Sequence, residues 1–356
     1  MPYEDGLVLR FPRRRDRSQL PPFTPRPLLY RTYVETRSWQ DLLGIRHVGQ
    51  LNRLCLNGGI REILRIAEGF HEKKIAHIAD DIVARREAVR LITIAGPSSS
   101  GKTTFAKRLG IQLRVNGIEP IALSLDDYYV DRHDTPLADD GQPDFEALEA
   151  IDLPLFHRHL SELLAGEEVR TPEYDFVTGR RKPPERWAPM RLEDNQVLLV
   201  EGIHGLNDQL TATVSRGRTY RIFISALSQL AIDDHNRIFT ADARLIRRIV
   251  RDQLFRGFTA ERTLRLWERV RRGEARWIFP FQEGADVMLN SALVYEPAVL
   301  KTYAERFLLQ VPRTSPEYPE AYRLLKFLAL FVPIFPDEVP HTSILREFIG
   351  GSTFSY

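Results

Sequence analysis

Gly96-Pro97-Ser98-Ser99-Ser100-Gly101-Lys102-Thr103-Thr104 is a complete G-x-x-x-x-G-K-[ST] pattern. The chemistry this spacing permits is phosphate binding. Backbone N–H groups along Gly96, Ser98, Ser99, Ser100, Gly101 and Thr104 can wrap a nucleotide phosphate. Lys102 can reach the β/γ oxygens, and the Thr103 hydroxyl can ligate Mg²⁺. The flanks fit this use. Leu91-Ile92-Thr93-Ile94-Ala95 is an apolar β-type run, and residues 102–115 are apolar at helical spacing without proline. Strand, glycine loop and helix N-terminus follow in the order that aims a helix dipole and its free N–H groups at an anion.

Phosphoryl transfer also needs a metal, an oriented acceptor and positive charge on the transferring group. Val197-Leu198-Leu199-Val200-Glu201 reads as a buried strand ending in a carboxylate, so Glu201 belongs at the carboxyl edge of a sheet, where it can hold Mg²⁺ directly or through water. A second strand ends in Asp126-Asp127-Tyr128-Tyr129. Asp126 can accept a proton from an attacking hydroxyl; Asp127 competes for that role, and an Asx turn is the plainer reading. Arg244, Arg247, Arg248 and Arg251 fall at i, i+3, i+4 and i+7, so one helix face carries four like charges. Such a face suits an anionic partner better than plain solvent. Tyr174 and Phe176 share one side of a possible strand and can sandwich a planar group, although such pairs are often core.

The elements that must position these groups can be read around them. From residue 91 onward, strand-like runs at 91–95, 119–124, 196–200, 219–225 and 286–290 alternate with helical stretches at 102–115, 153–165, 241–256 and 260–275. The alternation predicts a three-layer α/β domain with a parallel sheet. Residues 126–190 interrupt it with Pro, Asp and Tyr and read as a substrate-binding insertion. Residues 1–37 read as irregular, with one possible strand at Leu7–Phe11 and a solvated Arg13-Arg14-Arg15 run. Short helices are expected over 38–57. An amphipathic helix is expected over 60–86, with a kink or break where Phe70 to Ile75 steps by five residues. Residues 297–335 read as helical and 336–356 as a loop-rich tail. The expected partition is 1–88, a small N-terminal α+β extension; 89–296, the phosphate-loop domain; and 297–356, a helical segment and tail packed on it.

Composition narrows the class further. Of 356 residues 43% are hydrophobic, enough for a real core. A net charge of +2 makes no electrostatic case for a nucleic-acid partner. Cys55 is the only cysteine, which excludes an internal disulfide and fits a reducing cytoplasm. The apolar run 327–335 is too short to span a bilayer, so no membrane role is expected.

With these pieces in order, residues 91–295 resemble the uridine kinase/phosphoribulokinase family of P-loop kinases. The resemblance rests on Gly96–Thr104, Leu123–Tyr129, Tyr174–Phe176, Val197–Gly202 and Asp242–Asp252. It implies that Asp126 is the catalytic base, and that Tyr129 lies near a nucleoside. It makes Phe145-Glu146 the sugar-binding pair, with an acid one methylene longer than the family's. It also implies that Tyr174, Asp175 and Phe176 flank a base, and that Arg244, Arg247 and Arg251 are lid arginines. Gly179 stands where uridine kinases carry a pyrimidine-reading histidine, a departure that weakens base discrimination. Residues 39–82 resemble the junction of longer bacterial nucleoside kinase-like proteins that carry a threonyl-tRNA-synthetase-like N-terminal region. Ser343–Gly351 resembles the C-terminus of that same group.

The resemblance implies an ATP- and Mg²⁺-dependent kinase acting on a small-molecule hydroxyl, such as the 5′-hydroxyl of uridine or cytidine. A sugar, polyol or sugar phosphate is the alternative acceptor. An ATP-binding regulatory or RNA-associated protein is the alternative from another class. A homo-oligomer stays open. Lys102, Asp126, Arg244 and Arg247 are the expected catalytic groups. Arg248 and Arg251 join the loop at the nucleotide, Thr103 and Glu201 hold the metal, and Tyr129, Phe145, Glu146, Tyr174, Phe176 and Arg244 meet the acceptor.

Overall fold

The computed structural model describes residues 2–4, 6–12, 19–20, 22–138, 141–175, 178–228 and 230–355. Arg13-Arg14-Arg15 and Phe176 lie outside the described residues. Five strands form one parallel sheet in the order Val287–Asn290, Thr219–Ser225, Leu91–Ala95, Gln196–Glu201, Glu119–Ser124. The phosphate-loop strand is central, and the chain leaves it toward opposite sides of the sheet. That switch point opens a crevice at the carboxyl ends of the strands.

Alternation along the strands sends side chains into two helical layers. Ile92, Ile94, Leu199, Ile222 and Ile224 pack with Phe105 and Leu109 of the helix Lys102–Val115 and with the helices Ile60–Ala84, Thr240–Phe255 and Glu296–Leu309. Leu91, Leu198 and Val200 face the opposite way, onto Leu155, Phe156, Leu160 and Leu163 of the helix Leu153–Leu164. The predicted three-layer α/β domain is therefore the architecture observed.

Residues 27–43 are helical where the composition predicts mostly irregular chain. A helix starts at Pro27 and runs to Leu43, where Gly44 ends it in a left-handed conformation. Glu283 accepts from the free N–H groups of Leu28 and Leu29, supplying from another element the cap that Arg26 lacks. The 60–84 helix is unbroken. His71 is buried at the register position between Ala67 and Ile75, so a polar residue fills the apolar stripe where the pattern skipped. Trp39 stacks on Phe70 beside it, with ring centroids 5.0 Å apart. Leu7–Phe11 does not form the strand expected of it; only Gly6–Leu7 pairs, with Pro2–Tyr3, and Leu7, Leu9 and Phe11 are exposed. Among the described residues, no helix is long and apolar enough to cross a membrane.

Candidate active site

The loop 96–101 is shaped by two close approaches that only glycine allows. A Cβ on Gly96 would stand 2.0 Å from the Ile224 carbonyl oxygen, and one on Gly101, whose φ is +87°, would stand 2.5 Å from a methyl of Ile344. Ser99 adopts φ +60°. Lys102 Nζ donates to the Gly96 carbonyl at 3.0 Å, so the cation curls over the loop it serves.

The loop's carbonyl groups are tied down from behind. Arg244 donates to Ser98 O at 3.0 Å, Arg247 to Ser99 O at 3.3 Å, and Ser291 Oγ to Ser100 O at 2.5 Å. Both arginines are also bidentate to buried carboxylates. Arg244 grips Glu274 at 2.5 and 2.8 Å, and Glu274 in turn accepts from Ser98 N. Arg247, wholly buried, grips Glu296 at 2.9 and 2.5 Å. This corrects the expectation of one four-arginine face turned to an anionic partner. Arg244 and Arg247, expected among the catalytic groups, have their charge matched inside the fold and brace the loop. Arg248 and Arg251 are differently placed. Arg248 donates to Ser98 Oγ at 2.8 Å and to Asp252, and Arg251 reaches Asp252 only at 3.3–3.4 Å. Burial lowers the Arg251 guanidinium to about 10, with neighbouring Arg256 adding to the effect and Asp252 opposing it.

Glu201 ends its strand beside the loop, and Thr103 Oγ1 donates to its Oε1 at 3.1 Å. Burial pushes the Glu201 carboxyl up to about 7. Lys102 pulls it down, and Asp126 and Glu347 push it further up. A hydroxyl and a desolvated carboxylate with one hydrogen bond fit Mg²⁺, which takes one or two protein oxygens and fills its shell with water and phosphate. Among the described residues, no group of three or more His, Cys, Asp or Glu side chains could hold a metal by itself.

Asp126 and Asp127 follow the strand Glu119–Ser124 on a short 3-10 turn, whose Ser124 Oγ accepts from Asp126 N. Their side chains divide. Asp127 Oδ1 accepts from Tyr174 N at 3.2 Å and so joins the turn to the strand Tyr174–Asp175. Asp126 faces Lys102, Arg256 and Arg251, which oppose the rise that burial imposes on its carboxyl.

The chain beyond this turn gathers aromatic and acidic side chains. Tyr129 is buried, donates to the Phe145 carbonyl at 3.1 Å, and lies 5.7 Å from the Tyr174 ring. Glu146 backs onto Gly273, where a Cβ would stand 2.4 Å from its own Cβ. Its Oε2 is buried without a hydrogen bond, and burial, reinforced by Glu274, raises its carboxyl to about 7. Gly179 closes the hairpin of Tyr174–Asp175 with Arg180–Arg181 at φ +71°. The Arg132 guanidinium covers it, 2.6 Å from where a Cβ would be, and Arg132 N donates to Gly179 O. A histidine there would meet both obstacles.

Sequence reasoning missed Glu274, Glu296, Ser291 and Glu347, the last accepting from Thr104 N and Oγ1. Glu274 sits in an arginine-rich run that reads as a solvated helix face. The one sequence signal for it was Gly273, a glycine inside a helix.

A parallel sheet with a phosphate loop at its switch point, a hydroxyl–carboxylate pair and a neighbouring cluster of acidic and aromatic side chains define a P-loop phosphotransferase. The profile of the Phosphoribulokinase / Uridine kinase family matches residues 91–294, and the chain belongs to that family. It is a phosphotransferase with an alcohol group as acceptor. It is 30% identical over 210 residues to a uridine kinase of Deinococcus deserti, covering 59% of this chain and 91% of that protein. It is 28% identical over 199 residues to a uridine kinase of Halobacterium salinarum, covering 56% and 78%. Among solved structures, D-glycerate 3-kinase from Cryptococcus neoformans aligns with a TM-score of 0.42 at 14% identity, covering 60% of this chain and 89% of that one.

Proposed function

We propose that this chain is an ATP- and Mg²⁺-dependent kinase that phosphorylates the 5′-hydroxyl of a nucleoside such as uridine or cytidine. The observation that carries the reading is the convergence of Lys102, the Thr103–Glu201 pair and Asp126 at one sheet edge, opposite Tyr129, Tyr174 and Glu146. The relatives' names support a nucleoside as acceptor.

Bound Mg²⁺ would supply charge neutralisation on the phosphates, with Thr103 and Glu201 as its protein ligands. Asp126 takes the proton of the acceptor hydroxyl, and its raised proton affinity brings it nearer the operating pH that favours a general base. Lys102, Arg248 and Arg251 stabilise the charge that develops in transfer. Arg244 and Arg247 act one step back, through the loop. Glu146 takes hydroxyls of the acceptor, and Tyr129 and Tyr174 wall its planar part. The helices Pro27–Leu43 and Ile60–Ala84 brace the sheet, and residues 39–82, with their synthetase-like resemblance, take no part in the chemistry.

The second reading, a sugar, polyol or sugar phosphate as acceptor, is favoured by Gly179 under Arg132. A screen of nucleosides, sugars, polyols and sugar phosphates with ADP detection separates the two. Turnover with uridine or cytidine well above that with any sugar supports the first. Turnover with a non-nucleoside alone replaces it, and nucleotide binding without turnover for any acceptor leaves the regulatory alternative.

A further inference from the structure

Ser343–Gly351, the segment singled out near the C-terminus, lies against the phosphate loop. Ser343, Ile344, Leu345 and Phe348 are wholly buried, and the last three belong to the main core. Arg346 ties the segment to the turn before it and to its own end, donating to the carbonyls of Pro336, Val339 and Gly350. Phe348 packs 5.1 Å from the Arg247 guanidinium. The backbone here is therefore part of the fold, fixed beside Gly101.

Glu347 is the partly buried exception, and its side chain reaches the loop. Its Oε2 accepts from Thr104 N at 3.2 Å and from Thr104 Oγ1 at 2.7 Å. These two donors stand in the first turn of the helix Lys102–Val115, where the loop meets a phosphate. A carboxylate on them adds negative charge where a phosphate oxygen must go, and its charge is felt by Glu201 and Arg251 as well.

We propose that Glu347 is a side-chain gate on the nucleotide site: it holds the Thr104 donors until a phosphate takes them, and its return speeds nucleotide release. The gate is a rotation of one side chain on a fixed backbone. It goes beyond the transfer reaction but rests on the reading of Gly96–Thr104 as the nucleotide site.

The test is Mg²⁺–ADP binding by calorimetry on the full chain, with no acceptor present, for wild type, Glu347→Gln and Lys102→Met. Exchanging a charged for a neutral hydrogen bond should tighten ADP about fivefold in Glu347→Gln, chiefly through a slower off-rate. The same variant should melt lower without ADP and gain more from it. Glu347→Ala takes its place if Glu347→Gln does not fold. Lys102→Met should weaken ADP. Equal or weaker ADP binding in the folded Glu347 variant, with wild type binding normally, overturns the gate and leaves the nucleotide site standing. Absence of ADP binding in wild type and variant alike overturns both.

Discussion

Glu201→Gln should stabilise the protein while removing its activity. The Glu201 carboxyl rises from an ordinary 4.5 to about 7 because burial disfavours its charge and Asp126 repels it. At ~1.36 kcal/mol for each tenfold change in proton affinity, keeping it ionised costs the folded state about 3 kcal/mol. The sign follows from which state holds the proton. Between pH 4.5 and 7 the folded chain binds it more tightly than the unfolded chain. Stability from this side chain is therefore present at low pH and lost as pH rises through about 7. Glutamine keeps the size and can still accept from Thr103, but it carries no charge to desolvate. Urea unfolding of both proteins at several pH values isolates the effect, because other carboxylates titrate alike in each. The variant should match wild type near pH 4 and exceed it by about 2–3 kcal/mol at pH 8.5. Mg²⁺–ATP should then stabilise wild type more than the variant. A variant less stable than wild type at pH 8.5, or a difference that ignores pH, would refute the argument that Glu201 is held ionised at a cost.

Asp126→Asn should lower turnover by roughly 10²–10⁴-fold while sparing ATP binding; near-normal turnover would sink its assignment as base. Arg247→Met alone strands the Glu296 charge in the core and should cost about 3–5 kcal/mol, read by thermal or urea unfolding. Arg247→Met with Glu296→Leu should recover most of that stability yet bind ATP more weakly than wild type, since Ser99 O loses its donor. Wild-type ATP affinity in the double variant would mean that the pair does not brace the loop.

The sheet was legible because its strands are short apolar runs set between a phosphate loop and amphipathic helices, and each pattern has one dominant period. The helix Pro27–Leu43 was not. Only Leu28, Thr32 and Gln40 are buried along it, so no apolar stripe marks it, and Pro27 at its first turn continues a proline-rich stretch. The loop, Asp126 and Glu201 could be placed because each ends an element whose direction was already known. The carboxylates that complete the site could not. Glu274 lies 30 residues from Arg244, Glu296 lies 49 from Arg247, and Glu347 lies 243 from Thr104. Gly179 likewise read as a missing contact, and only the fold gives it a turn to make and an arginine above it.

A buried arginine–glutamate pair is seldom the most stable way to fill a core, because apolar side chains of similar volume do as well or better. Two such pairs behind one loop call for a reason other than stability. The loop carries a carbonyl for every N–H and one more at Pro97, and an anion is repelled by the carbonyls while the N–H groups draw it. Ser98 O, Ser99 O and Ser100 O are each held by a donor: Arg244, Arg247 and Ser291. A cation strong enough to hold a carbonyl in the core must itself be neutralised there, and Glu274 and Glu296 do this from two further helices. The helix Thr240–Phe255 thus divides its arginines by depth: the buried two hold the loop's carbonyls, and Arg248 and Arg251, nearer solvent, share the carboxylate of Asp252.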